Sequence, residues 1–340
     1  INSCYGYMGN KNAPIGDDDI ASSVTLTGQA VIKYSNELIK EFIKKEIPDI
    51  SDRELEGCII YNDTDSSYVS ITPLVNKGLK FLDGDDIHEE THSKIQEIED
   101  YLNKGVEKWA KKSLLSHDSR FVFKRECIAD VGVFLQKKRY VMHILDDEGI
   151  KEDKFKYTGV EVVRTTMPNA IKPYAKKIIE TMLSTQSLTK TNKILNETYD
   201  IFKSLSPQEL AFVMGVKSYE KYAVSCNEFS TVKGMPIHVK SAYFYNLLLD
   251  KLGTGNRYED LGSGDKVRYM YVEKPNKYGL DSIGFKYDYP KEFNDIFKVD
   301  YEKMFEKILF QGIERFYDCV GWKIRKPDEN VQVELLDLFA

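Results

Sequence analysis

Residues 57–71 read GCIIYNDTDSSYVSI, in which two short apolar runs flank a polar hexapeptide at positions 61–66. The runs are rich in β-branched and aromatic residues, and a polar turn between two such runs is typical of a β-hairpin. Asp63 and Asp65 stand two residues apart at the predicted tip. Their side chains therefore point the same way from a strand, or converge in a turn.

Paired carboxylates on a rigid turn have two possible roles. They can bind Mg²⁺, which takes one or two protein carboxylates and keeps positions for water and phosphate. That arrangement suits phosphoryl transfer. Alternatively, Asp side chains can cap the backbone of their own turn. The hexapeptide taken alone leaves both roles open.

Amphipathic helices are predicted on both sides of this hairpin. Apolar residues recur at spacings of three and four at positions 22–45 and again at 87–115, which indicates one buried face on each helix. Short β-rich segments follow at 121–123, 127–133 and 139–145. The first 160 residues therefore predict an α+β layer, an antiparallel sheet with packed helices.

Helical patterns dominate after residue 160, which predicts a mainly helical second part. A Gly-rich loop at 253–264 interrupts them, and a short strand is predicted at 269–272. The predicted helices cover residues 171–184, 190–205, 207–213, 241–252 and 299–320.

Charge and cysteine usage narrow the class of protein. Taken alone, the net charge of −6 argues against binding of nucleic acid. Binding depends on local charge, however, because phosphates respond to charges within a Debye length of about 10 Å. Local basic clusters indicate either a polarised surface or ordinary solvated faces. The five cysteines are scattered along the chain, which favours a reducing compartment. We therefore expect the protein in the cytoplasm, and in the cytoplasm of the host cell if the protein is viral. The sequence contains no run of about 18 apolar residues, so it predicts no membrane span. The basic clusters are Lys108, Lys111 and Lys112; Arg120, Lys124 and Arg125; Lys137, Lys138 and Arg139; and Lys172, Lys176 and Lys177.

Three motifs in register resemble those of family B DNA polymerases. Residues 61–66 resemble the palm hairpin motif Tyr-Gly-Asp-Thr-Asp-Ser, with Asn62 in place of Gly. Since Asn tolerates positive φ well, we expect the turn to survive this change. Residues 2–6 resemble the end of the fingers-helix motif, Asn-Ser-x-Tyr-Gly, and residues 137–140 resemble the Lys-x-Tyr element. Other segments, at 1–10, around Gly159 and at 233–246, resemble the replicative polymerases of T-even-type bacteriophages.

The resemblance implies a domain order and an activity. It places the end of the fingers helix at 1–12, the palm at 13–160, and the thumb with a C-terminal clamp-binding tail at 161–340. The implied reaction is DNA-templated transfer of a nucleotide from a dNTP to a primer 3′-OH, with two Mg²⁺ ions. The motif that carries the second catalytic Asp has no counterpart in the sequence. We therefore expect an N-terminal polymerase portion as partner, shared Mg²⁺ ions, and no activity from this chain alone.

Individual roles follow from the same resemblance. Asp65 matches the carboxylate that bridges both metal ions, and Asp63 the acidic residue beside it. Tyr5 matches the tyrosine beneath the nascent base pair, with an ordinary core aromatic as the alternative. Gly6 would permit close backbone approach. The implied nucleotide-binding set is Asn2, Tyr5, Gly6 and Thr64.

Primer–template DNA is the second implied ligand. Lys138 and Tyr140 match residues that hold the primer end, and a lysine in the minor groove meets acceptors that every base pair presents. Lys137 and Arg139 suit phosphates, with an exposed basic edge strand as the alternative. The segment 231–240 resembles the thumb surface along the duplex. Its phosphate-contact candidates, with plain surface charge as the alternative, are Lys233, His238 and Lys240.

The C-terminal residues indicate one more partner. One helical turn would place three apolar side chains on one side, which fits the groove of a sliding clamp or packing on the thumb itself. The tail also disfavours a protein-primed polymerase. The rival to an enzyme is a non-catalytic DNA-binding or clamp-tethering subunit that retains the motifs. The tail residues are Gln332, Leu335, Leu338 and Phe339.

Overall fold

The computed structural model describes residues 2–14, 16–164 and 166–327, with only the backbone at positions 2 and 3. The chain divides into two compact units. Unit 1 contains Ile1–Asp130 and Met142–Lys156, and unit 2 contains Val131–Val141 and Tyr157–Ala340. Within the described ranges, no helix is both long enough and apolar enough to cross a membrane.

Two long helices form the framework of unit 1. Asp17 caps one of them through the N–H groups of Asp19 and Ile20, and His88 caps the other through Glu90, as polar side chains at N-caps do. These two helices confirm the predictions for residues 22–45 and 87–115. The helices of this unit are α1 (Asn2–Met8), α2 (Asp18–Glu46), α3 (Asp52–Gly57), α4 (Thr72–Asn76) and α5 (Glu89–Ser113).

The core of unit 1 lies between α2, α5 and the predicted hairpin. Gly105 allows the helices to approach closely, because a Cβ there would lie 2.5 Å from a methyl carbon of Leu38. Tyr34 and Trp109 stack with ring centroids 5.5 Å apart. The hairpin itself consists of β1 (Ile59–Asp63) and β2 (Ser66–Val69), and a second short hairpin follows with β3 (Leu82–Asp83) and β4 (Asp86–Ile87).

Three longer strands form a separate sheet in the order β5-β6-β7. Tight turns join consecutive strands, so the pairing is antiparallel. The predictions for residues 127–133 and 139–145 are confirmed. The strands are β5 (Cys127–Gln136), β6 (Arg139–Asp147) and β7 (Ile150–Thr158), and the residues of this sheet are divided between the two units.

The predicted strand at 121–123 is wrong. Phe123 donates its N–H to Asn103 Oδ1 at 2.8 Å and accepts from Asn103 Nδ2 at 2.9 Å. The side-chain amide thus replaces a neighbouring strand as the backbone partner.

Unit 2 combines helices with a second antiparallel sheet. The helices are α6 (Lys172–Thr185), α7 (Leu188–Ser204), α8 (Pro207–Leu210), α9 (Tyr219–Ala223) and α10 (Ile237–Leu252). The sheet has the order β10-β9-β8, with β8 (Phe212–Gly215), β9 (Lys266–Tyr271) and β10 (Ser282–Phe285). The predicted helix at 207–213 is therefore wrong beyond Leu210, because Phe212 begins a strand that pairs with Tyr269.

The last helical region is continuous but not uniform. It consists of α11 (Tyr301–Phe305), a π-helical stretch (Glu306–Phe310) and α12 (Gln311–Cys319). The helix predicted at 299–320 is confirmed, and the π-helical stretch was not foreseen. Short π-helical insertions of this kind are often found at functional positions.

Candidate active site

The hairpin of β1 and β2, which we call the acidic hairpin, closes on the pair Asp63 and Ser66. Thr64 and Asp65 form its two-residue loop, and both are exposed. Asp63 is half-buried. The predicted carboxylates therefore lie at the tip of a two-stranded ribbon, as the hexapeptide indicated.

The turn has a strained backbone. Thr64 has a φ of 57°, and the Asp65 N–H donates to the Asp63 carbonyl oxygen at 2.6 Å, the hydrogen bond of a γ-turn. A β-branched residue with positive φ is a steric outlier. We expected Asn62 to adopt positive φ, but Asn62 pairs with Ser67 inside the strands, and the left-handed position lies two residues later.

The surrounding core fixes this tip in place. Ile59 and Val69 pack against the apolar cluster of α2 and α5, and they pair with each other at the base of the hairpin. The Ser67 hydroxyl lies 3.0 Å from Asn36 Oδ1 and 2.8 Å from Asn62 Oδ1. Because Asn36 belongs to α2, these polar contacts connect the hairpin to the helix framework.

The carboxylate oxygens at the tip of the hairpin are of the ligand type that Mg²⁺ prefers. This ion is commonly held by one or two carboxylates, with the remaining positions taken by water and substrate phosphates. In the part of the chain that the structure describes, no group of three or more His, Cys, Asp or Glu side chains could enclose a metal ion. The hairpin thus offers two carboxylates on an accessible turn rather than a closed metal cage.

The predicted nucleotide-binding residues near the N-terminus lie on α1. Tyr5 is 43% exposed, so it is a surface residue rather than a core aromatic. Gly6 is open, because a Cβ built on it would meet nothing within 4 Å. The backbone of Asn2 is helical, and its side chain lies outside the described atoms.

The basic motif lies at the turn between β5 and β6. Lys137 and Lys138 form this turn, which we call the lysine turn, and both are exposed. Lys138 has a φ of 60°. The two lysines therefore belong to the turn and not to either strand, whereas Arg139 is the first residue of β6.

The other two residues of this motif are less accessible. Tyr140 is only 5% exposed and stacks on Phe134, with ring centroids 5.1 Å apart. Arg139 is hydrogen-bonded to Glu161. Their contacts with DNA stay predictions.

The three phosphate-contact candidates of the thumb-like segment differ in exposure and in charge. Lys233 is exposed. Lys240 Nζ lies 3.0 Å from Asp281 Oδ1 and 3.2 Å from Oδ2, so its charge is already paired. Burial lowers the pKa of His238, which favours the neutral ring. Lys233 is the only one of these three that combines a full charge with an exposed position.

Sequence reasoning missed the partner of Arg139. Glu161 follows β7 and is held by arginines from different parts of unit 2. The basic motif gave no sign of this pairing. The sequence carried no signal for it, because Arg139 and Arg315 lie 22 and 154 residues from Glu161 in the chain.

Four sequence-predicted residues lie outside the described part of the chain: Gln332, Leu335, Leu338 and Phe339.

The sequence also matches the family model for DNA polymerase family B, over residues 1–97 and 118–320. The DNA-directed DNA polymerases of Escherichia phage RB69 and Enterobacteria phage T4 are each 24% identical, over 100% and 94% of this chain. A DNA polymerase of Methanocaldococcus jannaschii is 26% identical over 99% of it. The chain spans only 38%, 36% and 17% of the lengths of these three proteins.

Proposed function

The chain belongs to DNA polymerase family B, and from this membership we propose that it forms part of a DNA-templated DNA polymerase. The reaction is the transfer of a nucleotide from a dNTP to the 3′-OH of a primer. The acidic hairpin is the observation that carries the proposal. It presents Asp65 at an exposed, strained turn that the core of unit 1 supports, and strain of this kind concentrates at functional positions.

We propose that Asp65 and Asp63 bind two Mg²⁺ ions that are shared with a further acidic residue. When bound, such ions stabilise the attacking and leaving oxygens of the transfer. The hairpin's contribution is to hold both carboxylates in a fixed geometry before substrate arrives. The second catalytic Asp is proposed to come from an N-terminal polymerase portion, so the 340 residues alone would not polymerise.

The exposed candidates define the proposed substrate contacts. Tyr5 and Gly6 on α1 would face the nascent base pair, and the lysine turn would hold the primer end. Lys233 is the strongest phosphate candidate of the thumb-like segment. Arg139, Tyr140, His238 and Lys240 would act from within the protein, because burial or ion pairing limits their access.

The proposed domain order keeps the end of the fingers helix at 1–12, the palm at 13–160 and the thumb at 161–340. The proposed site of action is the cytoplasm, that of the host if the protein is viral. A sliding clamp is the proposed partner of the C-terminal tail. Deletion of residues 332–340 should lower clamp-dependent processivity and leave distributive synthesis unchanged. An equal loss of both would assign the tail a structural role.

The rival function is a non-catalytic subunit that tethers DNA or a clamp. The exposure of Asp65 favours the enzyme, because a tether has no need of accessible carboxylates on a strained turn. The test combines the chain with a polypeptide that carries the N-terminal regions of the family, then measures primer extension and Mn²⁺ binding by electron paramagnetic resonance.

We expect extension and Mn²⁺ binding only from the combination. Vigorous extension by the chain alone would contradict the proposed sharing of the metal site. Extension by the combination without Mn²⁺ binding at the acidic hairpin would contradict the assignment of Asp65.

A further inference from the structure

A cluster of charged side chains surrounds Glu161 in unit 2. The Glu161 Oε1 atom accepts hydrogen bonds from Arg139 and, at 2.9 Å, from Arg315 Nη1. Arg164 Nη1 lies 4.0 Å from the same oxygen. Because β6 supplies Arg139 and α12 supplies Arg315, one carboxylate connects two elements that are far apart in sequence.

The backbone on either side of Glu161 is tightly enclosed. Gly159 has a φ of 60°, and a Cβ there would lie 2.1 Å from the Lys138 carbonyl oxygen. On the other side, a Cβ at Gly312 would lie 3.6 Å from the Glu161 Cβ. The segment that carries Glu161 therefore lies between the lysine turn and α12, with no space for a side chain at position 159.

The cluster is poorly optimised as a source of stability. Glu161 Oε2 and Arg139 Nε are buried and have no hydrogen-bond partner among the described residues. The mutual attraction of a buried ion pair repays its desolvation cost in full only when its remaining polar atoms are also satisfied, although removal of one partner is still destabilising. Departures from full satisfaction are expected where a residue is retained for function.

From this arrangement we propose that Glu161 is a positioning residue that fixes the lysine turn on the helical body of unit 2. It holds the side chain of Arg139, the residue directly after Lys138, and joins it to α12 through Arg315. The inference rests on the proposed function, because it takes the lysine turn to be the contact for the primer end. Glu161 itself need not touch DNA.

The sign of the effect separates positioning from simple electrostatics. Glu161→Gln removes a negative charge, which by Coulomb attraction alone should strengthen binding to a polyanion. Loss of positioning should instead weaken binding. Glu161→Asp keeps the charge and shortens the side chain, so any weakening in that variant reflects geometry alone.

The experiment measures the affinity of the assembled polymerase for a fluorescein-labelled primer–template duplex by anisotropy, over a series of salt concentrations. We expect Glu161→Gln to weaken binding about tenfold, with a smaller effect for Glu161→Asp. The slope of log affinity against log salt should fall by about one for each lysine that no longer neutralises a phosphate. When both lysines of the turn are already replaced by Ala, Glu161→Gln should not weaken binding further.

Asp146→Asn is the matched control. Asp146 is 4% exposed and pairs with Arg125 in unit 1, so the change also breaks an arginine–carboxylate pair, but one outside unit 2, which contains the lysine turn. Circular dichroism confirms folding of each variant. Unchanged or tighter duplex binding by both Glu161 variants, together with weaker binding by Lys138→Ala, would overturn the inference. No effect of Lys138→Ala would instead refute the proposed primer contact.

Discussion

The acidic hairpin and the lysine turn share a backbone conformation but are stabilised by different interactions. Each is a tight turn between two strands that holds an exposed non-glycine residue at positive φ, 57° at Thr64 and 60° at Lys138. The acidic hairpin stands on an apolar core and short polar contacts to α2. The lysine turn is adjacent to an ion cluster centred on Glu161.

This difference predicts how each turn responds to its surroundings. Apolar packing changes little with salt or moderate pH, whereas charge pairs depend on both. The carboxylates should therefore keep their geometry over a wide range of conditions. The lysines should keep theirs only while Glu161 is ionised.

The largest expected effect is at the acidic hairpin. Asp65→Asn in the assembled polymerase should reduce synthesis on the order of 10³-fold, the scale for loss of a charge-stabilising group. Duplex binding should survive, since the core beneath the turn is unchanged. Single-turnover incorporation and duplex anisotropy measure the two effects. Near-normal turnover would end the metal-ligand assignment.

Removal of both lysines from the lysine turn should have the opposite effect, a large loss of duplex binding with little loss of synthesis. Lys137→Ala with Lys138→Ala should weaken duplex binding about a hundredfold at low salt and flatten the salt dependence by about two charges. Incorporation from saturating duplex should change much less. Lys44→Ala with Lys45→Ala is the control, an exposed adjacent pair in the last turn of α2, although this change also removes the 2.9 Å hydrogen bond from Lys44 Nζ to the Ile50 carbonyl oxygen. Equal weakening in both double variants would indicate a nonspecific charge effect.

Acid should weaken the support of the lysine turn selectively. Burial alone would raise the pKa of Glu161, but the hydrogen bond from Arg139, a backbone hydrogen bond and the charges of Arg139 and Arg164 together outweigh burial, so the pKa is lowered from 4.5. A carboxylate with a lowered folded pKa adds stability above its unfolded pKa and loses it as the pH falls through the folded value. The stability difference between the natural chain and Glu161→Gln, about 2 kcal/mol near neutral pH, should therefore shrink below about pH 4.5. Urea unfolding at pH 3 to 7 checks this, and a constant difference would contradict it.

Relief of strain should give the smallest effect. Thr64→Asn places a residue that tolerates positive φ at the turn, so the free energy of unfolding should rise by about 1 kcal/mol. Thr72→Asn, at an exposed position outside the left-handed region, provides the control. A urea midpoint that does not rise relative to this control would show that the turn accommodates Thr64 without strain.

Local patterns predicted much of this architecture. Periodicity located α2 and α5, and flanking β-rich runs located the acidic hairpin. Periodicity did not reveal α3, although Ser51 and Glu54 form a capping box at its start, a signal that sequence reading could have used. The charged sequence of β7 concealed a strand whose residues are mostly exposed or half-buried.

Long-range partners could not be predicted in the same way. The strand after α8 depends on pairing with β9, more than fifty residues later in the chain, and its local sequence resembles the continuation of a helix. The cluster at Glu161 depends on Arg139 and Arg315, which meet only in the folded unit. The motif predicted which residues are basic, but the fold decides which of them remain available.

The π-helical stretch (Glu306–Phe310) sets the rotational phase of everything after it. Its i→i+5 bonding inserts one residue relative to an α-helix, and each residue of a helix turns by about 100°. Deletion of one residue there would rotate α12 by that angle, withdrawing Arg315 from Glu161 and turning Phe316 out of the core in which it is 1% exposed. A single extra residue thus sets both the packing of the last helix and its reach towards the lysine turn.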